Sequence, residues 1–199
     1  MRNFQTEDLT TGLHTHEPGL VEGLILATVC GLAYMAAFYL NNYVVQAQAV
    51  FSGVALFYLP AGIKLIAIMV ARYWGALGLW VANCLHSLTG WDDLTFVDVF
   101  WMSVVWVGTT LAVVMAWARA TGLRSDLKNL TFKSFLWLNL LAALVHGLFF
   151  NAYLLAIDMR IGSEWLTAAK AMALGDFLGS GALMLMVLGL FKAKRLVRS

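Results

Sequence analysis

Charge is scarce in this chain of 199 residues: only 12% are Asp, Glu, Lys or Arg, against 61% hydrophobic residues. A soluble domain carries about twice that charged fraction to stay solvated. With a mean hydropathy of +0.79, much of the surface is therefore expected to face lipid. A net charge of only +2, with no basic stripe, zinc knuckle or P-loop, excludes a nucleic-acid partner. The only prolines are Pro18 and Pro60, which leaves long helices free to run uninterrupted. The two cysteines, Cys30 and Cys84, both fall in apolar stretches, so no disulfide framework is expected. Residues 1–19 lack a signal-peptide core, because Glu7, Asp8, His14, His16 and Glu17 interrupt it. They read as a solvated polar tail ahead of an uncleaved first span.

What remains is a series of long, continuous apolar stretches. A transmembrane β-barrel would need short alternating segments, so helices are expected. A hydrocarbon core of about 30 Å takes roughly 20 helical residues. Six stretches approach this length: 20–40, 54–73, 74–88, 96–118, 132–157 and 165–191. The predicted fold is all-α, a polytopic helix bundle over residues 20–191 with a basic tail at 192–199.

The thirteen Lys and Arg order the topology. Arg119, Arg124, Lys128 and Lys133 cluster between the fourth and fifth stretches. Lys192, Lys194, Arg195 and Arg198 close the chain, and Arg72 marks the junction of the second and third. The connection around 41–52 has no charge, and that near Asp92, Asp93 and Asp98 has no base. Six spans with both termini in the cytoplasm place the basic segments on one side, as the positive-inside rule requires. The expected location is a bacterial cytoplasmic (inner) membrane. Several Trp and Tyr fall near predicted ends, where amphipathic rings favour the interface. Trp106 and Trp137 fall deeper and are expected to pack between helices.

Ionisable residues at mid-depth are costly, and so raise a functional hypothesis. Lys64 lies about 12 Å of helix from Arg72, and Asp176 about 24 Å from Lys192. They either pair and join two spans, or bind a charged ligand or relay a proton. Asn139 and His146, at i, i+7, project to within about 20° of each other and are expected to face the interior. Asn83 and His86 could join them. Asn151 projects elsewhere. One His per helix is no metal motif, and the His14/His16 pair lacks further ligands at suitable spacing, so neither metal nor cofactor is expected.

Ala171, Gly175 and Gly179 recur every four residues, a stripe that lets another backbone approach. Ser180 lies in Gly-Ser-Gly but lacks the pattern of an intramembrane serine protease, and no complete catalytic set is present. Pro60 and Gly62 are expected to break the second span close to Lys64, by removing a backbone donor and a side chain: either residues 54–59 form a separate short or re-entrant segment, or the helix kinks.

Two segments carry a resemblance. Leu59-Pro60-Ala61-Gly62-Ile63, followed by Arg72-Tyr73-Trp74 and Gly75-Ala76-Leu77-Gly78, resembles the first type of bacterial membrane-associated sensor domain (MASE). Gly175-Asp176-x-x-Gly179 resembles the late Gly/Asp/Gly signature of that family. The resemblance covers residues 54–82 and 171–181. It implies a multi-span sensory module, with Pro60, Gly62 and Asp176 as signature positions. This chain departs from the family in having about six spans where about eight are expected, in lacking an output domain, and in carrying Lys64. Sensing would then require a separate partner. Three functions follow as expectations: a sensory or ligand-binding module acting through another protein, an accessory subunit of a larger membrane complex, or the substrate-binding subunit of a small-solute transporter. Each implies membrane lipid and a second membrane subunit, or a further copy of the chain, as partners.

Overall fold

The computed structural model describes residues 18–45, 49–51, 54–55, 57–90, 94–124, 126–159 and 162–196. Expectations for His14, His16, Asp92, Asp93 and Arg198 lie outside these residues. Among the described residues, five helices have the length and apolar composition to cross a membrane. They are α1 (Leu20–Val45), α2 (Leu59–Gly90), α3 (Phe96–Thr121), α4 (Phe132–Ala156) and α5 (Trp165–Leu196). A small antiparallel ribbon, β1 (Ala49–Phe51) and β2 (Val54–Ala55), sits between α1 and α2. The basic segment at the end of the chain continues α5 as far as Leu196.

The residues expected to form the second and third spans make one element, α2, with its break at Arg72. Of the two outcomes expected at Pro60, the helix is not kinked there; Val54–Ala55 instead form β2, apart from the helix. Pro60 is its second residue, where a missing N–H leaves no helical bond unmade. The first-turn amide of Leu59 donates instead to Oδ1 of Asn41, at 3.0 Å. Gly62 is likewise within the opening turn and helical.

Arg72 reverses the chain. Its backbone (φ 49°, ψ −121°) is that of the first central residue of a type II′ turn, a place that glycine normally takes. Two observations establish the reversal. The Tyr34 hydroxyl lies 3.1 Å from that of Tyr58 and 3.4 Å from Oδ1 of Asn83, whereas 25 residues of straight helix would separate 58 from 83 by about 37 Å. A Cβ on Gly75 would strike the carbonyl of Ala67, eight residues back and about 12 Å away in a straight helix. So α2 is a hairpin of two arms, 59–71 and 73–90. By helical rise these are about 20 and 27 Å long.

Small residues hold the bundle close. Gly78 lies on the carbonyl of Ala27, and Gly23 lies under the Trp74 ring, so α1 runs parallel to the second arm. The Asn83 amide donates to Ser103 Oγ at 2.9 Å, and an Arg72 guanidinium nitrogen to the Leu123 carbonyl at 2.7 Å. These bonds set α3 antiparallel to that arm. Trp117 donates to Ser134 and Tyr153 to the Asp98 carbonyl, which sets α4 antiparallel to α3. Gly147 meets the backbone of Ala169 and Ala173, which draws α5 against α4.

Local signals fix the helix ends. Thr95 and Asp98 form a reciprocal capping box at the start of α3, Gly122 (φ 66°) closes it, and Thr131 caps α4. The α3–α4 connection carries Asp126 between Arg124 (3.2 Å) and Lys128 (3.6 Å). The Lys128 backbone N–H and these charges hold its carboxyl below its ordinary value. The alternating directions gather the Arg72 turn, the α3–α4 connection and the start of α1 at one end of the bundle. The α1–α2 and α4–α5 connections lie at the other.

Ile68, Leu79, Met102, Trp106, Val114, Phe135 and Leu138 form the core. Trp137 does not join them: it is 56% exposed and faces outward, because its position on α4 is one residue away from buried Leu138. Cys30 and Cys84 are both free thiols.

Candidate functional site

The first arm of α2 begins inside the bundle. The Tyr58 N–H donates to the carbonyl of Gly175, at 3.2 Å, ten residues into α5. Gly179 has no side chain where the Tyr58 carbonyl lies. Irregular backbone at such depth is tolerated where protein surrounds it, and here two positions of the small-residue stripe provide the bond and the room. Ala171, the third, is half-buried and packs on the core instead.

This docking sets Lys64 opposite Asp176. A Cβ on Gly62 would lie 3.0 Å from Cα of Ser180 and 2.9 Å from Cβ of Leu183, so the arm and α5 nearly touch. Lys64 Nζ stands 3.8 Å from Oδ2 of Asp176, an ion pair too long for a direct hydrogen bond. The same nitrogen sits 4.4 Å from the ring centroid of Trp106, within cation–π range.

The same carboxylate oxygen has a second basic neighbour. His146 Nδ1 lies 2.6 Å from Oδ2 of Asp176. A carboxylate accepts, so the network assigns the proton to Nδ1. Asp176 therefore stands between a lysine from α2 and a histidine from α4. All three are almost wholly buried, at 2–4% exposure. The Trp106 ring touches this centre on two sides, its centroid 6.2 Å from that of His146. Among the described residues, Lys64 Nζ and His146 Nε2 have no hydrogen-bond partner in the protein.

A cavity adjoins the ion pair. Lys64, Asp176, Thr110, Asn139 and Ser180 supply its polar lining, and Ala61, Leu65, Ala142 and Ala143 its apolar wall. It offers about 10 Å³ to the centre of a water molecule, room for about one water. Asn139 also donates to the carbonyl of Phe177, at 3.0 Å, and among the described residues Thr110 Oγ1 has no partner.

No family model, curated protein or solved structure matches this chain.

The polar residues singled out in the sequence thus divide. Lys64, Asp176, His146 and Asn139 gather at one centre. Asn83 does not reach it, and instead joins a second layer with Tyr34, Tyr58 and Ser103. His86 joins neither, and packs at a tilt against Phe38 with ring centroids 3.8 Å apart. Asn151 is buried and donates to the Gly147 carbonyl of its own helix. Sequence reasoning missed the direct His146–Asp176 contact, because no spacing rule links residues of different helices. It also missed Thr110 and the Tyr34–Tyr58 pair. An unexplained tyrosine in mid-span was the available signal for Tyr34.

Proposed function

We propose that this chain is a sensory, ligand-binding module of a bacterial cytoplasmic membrane, acting through a separate partner protein. The observation that carries this reading is the buried Lys64–Asp176–His146 centre, which joins α2, α4 and α5. Apolar side chains of similar volume would hold three helices together at no cost in desolvation, and ionisable groups at such depth mark function by default. The MASE resemblance supports the same reading. Two of its signature positions, Gly62 and Asp176, flank the contact between the first arm and α5, and Pro60 opens that arm.

The proposed topology has six passes, with both ends in the cytoplasm. The hairpin at Arg72 supports it by returning α2 to the side from which it came. So do Arg72, Arg119, Arg124, Lys128 and Lys133, which group at one end of the bundle. Membrane lipid as the surrounding partner is supported by the exposed apolar residues of α1, among them Val29 and Leu32. The small volume of the cavity favours sensing over carriage of an organic solute.

The test is made in the native host, with the chain and the proteins that crosslink to it. Asp176→Asn is expected to change the enzymatic output of a stoichiometric partner without dissociating it. An output equal to that of the wild-type chain, or solute uptake by proteoliposomes containing the chain alone, would overturn the proposal.

A further inference from the structure

We infer that the ligand of the Lys64–Asp176–His146 centre is a proton. It enters from the side of the membrane that carries the α1–α2 and α4–α5 connections. The inference rests on the sensory reading above and names what is sensed.

Size comes first. The cavity beside the ion pair has room for about one water. Its polar lining suits one, since Lys64 Nζ and Thr110 Oγ1 have no protein partner and Asp176 offers an acceptor. A water there would bridge the 3.8 Å gap between Lys64 and Asp176, as polar pairs beyond hydrogen-bond reach often require.

Charge comes second. With Lys64 as ammonium, Asp176 as carboxylate and His146 neutral, the centre is balanced. His146 uses Nδ1 on Asp176, which leaves the lone pair of Nε2 as the free base. One proton added to Nε2 makes an imidazolium and breaks no bond, and its loss restores the neutral ring. The protonated centre has two cations on a single carboxylate oxygen, in surroundings of low dielectric. Lys64 is the member able to move, because it has no hydrogen bond and a π-face at 4.4 Å. The groups facing His146 are few. They are Asp176 from α5, Lys64 from α2, and the rings of Trp106 from α3 and Phe150 from α4, which do not titrate. Tyr34 of α1 has its ring 5.0 Å from that of Trp106 and its hydroxyl 3.1 Å from that of Tyr58, before α2. Protonation of His146 would thus act on the contact between the first arm of α2 and α5, where the arm is docked through Tyr58, Gly62, Gly175 and Gly179.

Depth comes third. From His146 to the end of α4 at Ala156 is about 15 Å of helix, against about 21 Å back to its start. From Asp176 to the start of α5 is about 16 Å, against about 30 Å to Leu196. The centre is nearer the end with the α1–α2 and α4–α5 connections. Asn83 and Ser103 stand about 10 Å of helix from that end, and with Tyr34 and Tyr58 they form a hydrogen-bonded polar layer.

The test uses the full chain in lipid vesicles of one orientation, with ¹⁵N-labelled histidine. The His146 signals are identified by their loss in His146→Gln. Over roughly pH 5–8, where histidine switches charge, His146 Nε2 is expected to titrate, with its midpoint displaced in Asp176→Asn. A pH jump on the side of the α4–α5 connection should drive the change, and a jump on the other side should not. Tyr58→Phe, which keeps the ring, should slow the response several-fold. A His146 that keeps one protonation state throughout, in a chain still folded by circular dichroism, would overturn the inference. So would a response driven from the opposite side. Failure of the sensory reading is distinguishable: His146 would titrate while the partner's output stayed constant. The converse, an output that depends on Asp176 with a silent His146, leaves the sensory reading and removes the proton.

Discussion

Lys64 and His146 approach the same oxygen of Asp176 from different helices, at 3.8 and 2.6 Å. One carboxylate thus compensates a charge on α2 and orients a ring on α4. Removing Asp176 leaves both of the others without a partner, whereas removing Lys64 or His146 leaves one pair in place.

The first prediction concerns that dependence. Lys64→Met leaves Asp176 buried without its cation and is expected to cost about 3–5 kcal/mol. Asp176→Asn keeps a hydrogen-bonding group toward His146 and should cost less. The double variant Lys64→Met with Asp176→Leu should recover part of the loss, because no charge is left unpaired. Unfolding in bicelles or nanodiscs, read as a double-mutant cycle, measures the coupling. A double variant equal to the sum of the singles would remove the pair as a structural unit.

A second prediction separates two glycines of α5. A methyl on Gly179 would collide with the Tyr58 carbonyl, whereas nothing lies within 4 Å of one on Gly181. Gly179→Ala should cost about 1–3 kcal/mol through overpacking and displace Lys64 from Asp176. Gly181→Ala should be neutral, or stabilising by up to about 1 kcal/mol through helix propensity. Equal behaviour of the two would mean that the first arm does not dock on Gly179.

Arg72 supplies the third. Its positive φ strains any residue with a Cβ, at about 1–3 kcal/mol. Arg72→Ala loses the bond to the Leu123 carbonyl and keeps the strain, whereas Arg72→Gly loses the same bond and relieves it. The glycine variant should be the more stable of the two by about 1–2 kcal/mol. A thermal shift of opposite sign would argue against a sharp turn at this residue.

The fourth tests topology. Single cysteines are introduced as Tyr73→Cys, Lys128→Cys and Glu164→Cys into a chain whose own two cysteines are replaced. Membrane-impermeant reagents should reach the first two from the cytoplasmic face and the third only from the opposite face. Labelling of Lys128→Cys and Glu164→Cys from one side would exclude six passes.

The sequence by itself determined the helical, lipid-facing character of this protein, because long apolar runs with so little charge leave the backbone only internal hydrogen bonds to make. It also located the helices to within about five residues at most ends, since apolar runs long enough to span hydrocarbon give way there to polar residues. It singled out Lys64 and Asp176 because their cost in hydrocarbon depends on residue type alone. Tertiary structure decided what those residues meet. The reversal at Arg72 is invisible to hydropathy, which saw a basic residue between two apolar stretches and could not choose between a loop and a single strained φ. Pro60 was read as a break that either sets 54–59 apart or kinks the helix, and only the tertiary structure, with Asn41 beside the Leu59 amide, decides for the first. His146 and Asp176 are 30 residues apart, and their contact exists because Gly147 admits the backbone of α5 to within side-chain reach. The separation of Asn83 from that centre follows from the same cause: the interhelical distances are set by glycines whose partners lie on other helices, and no local pattern records them.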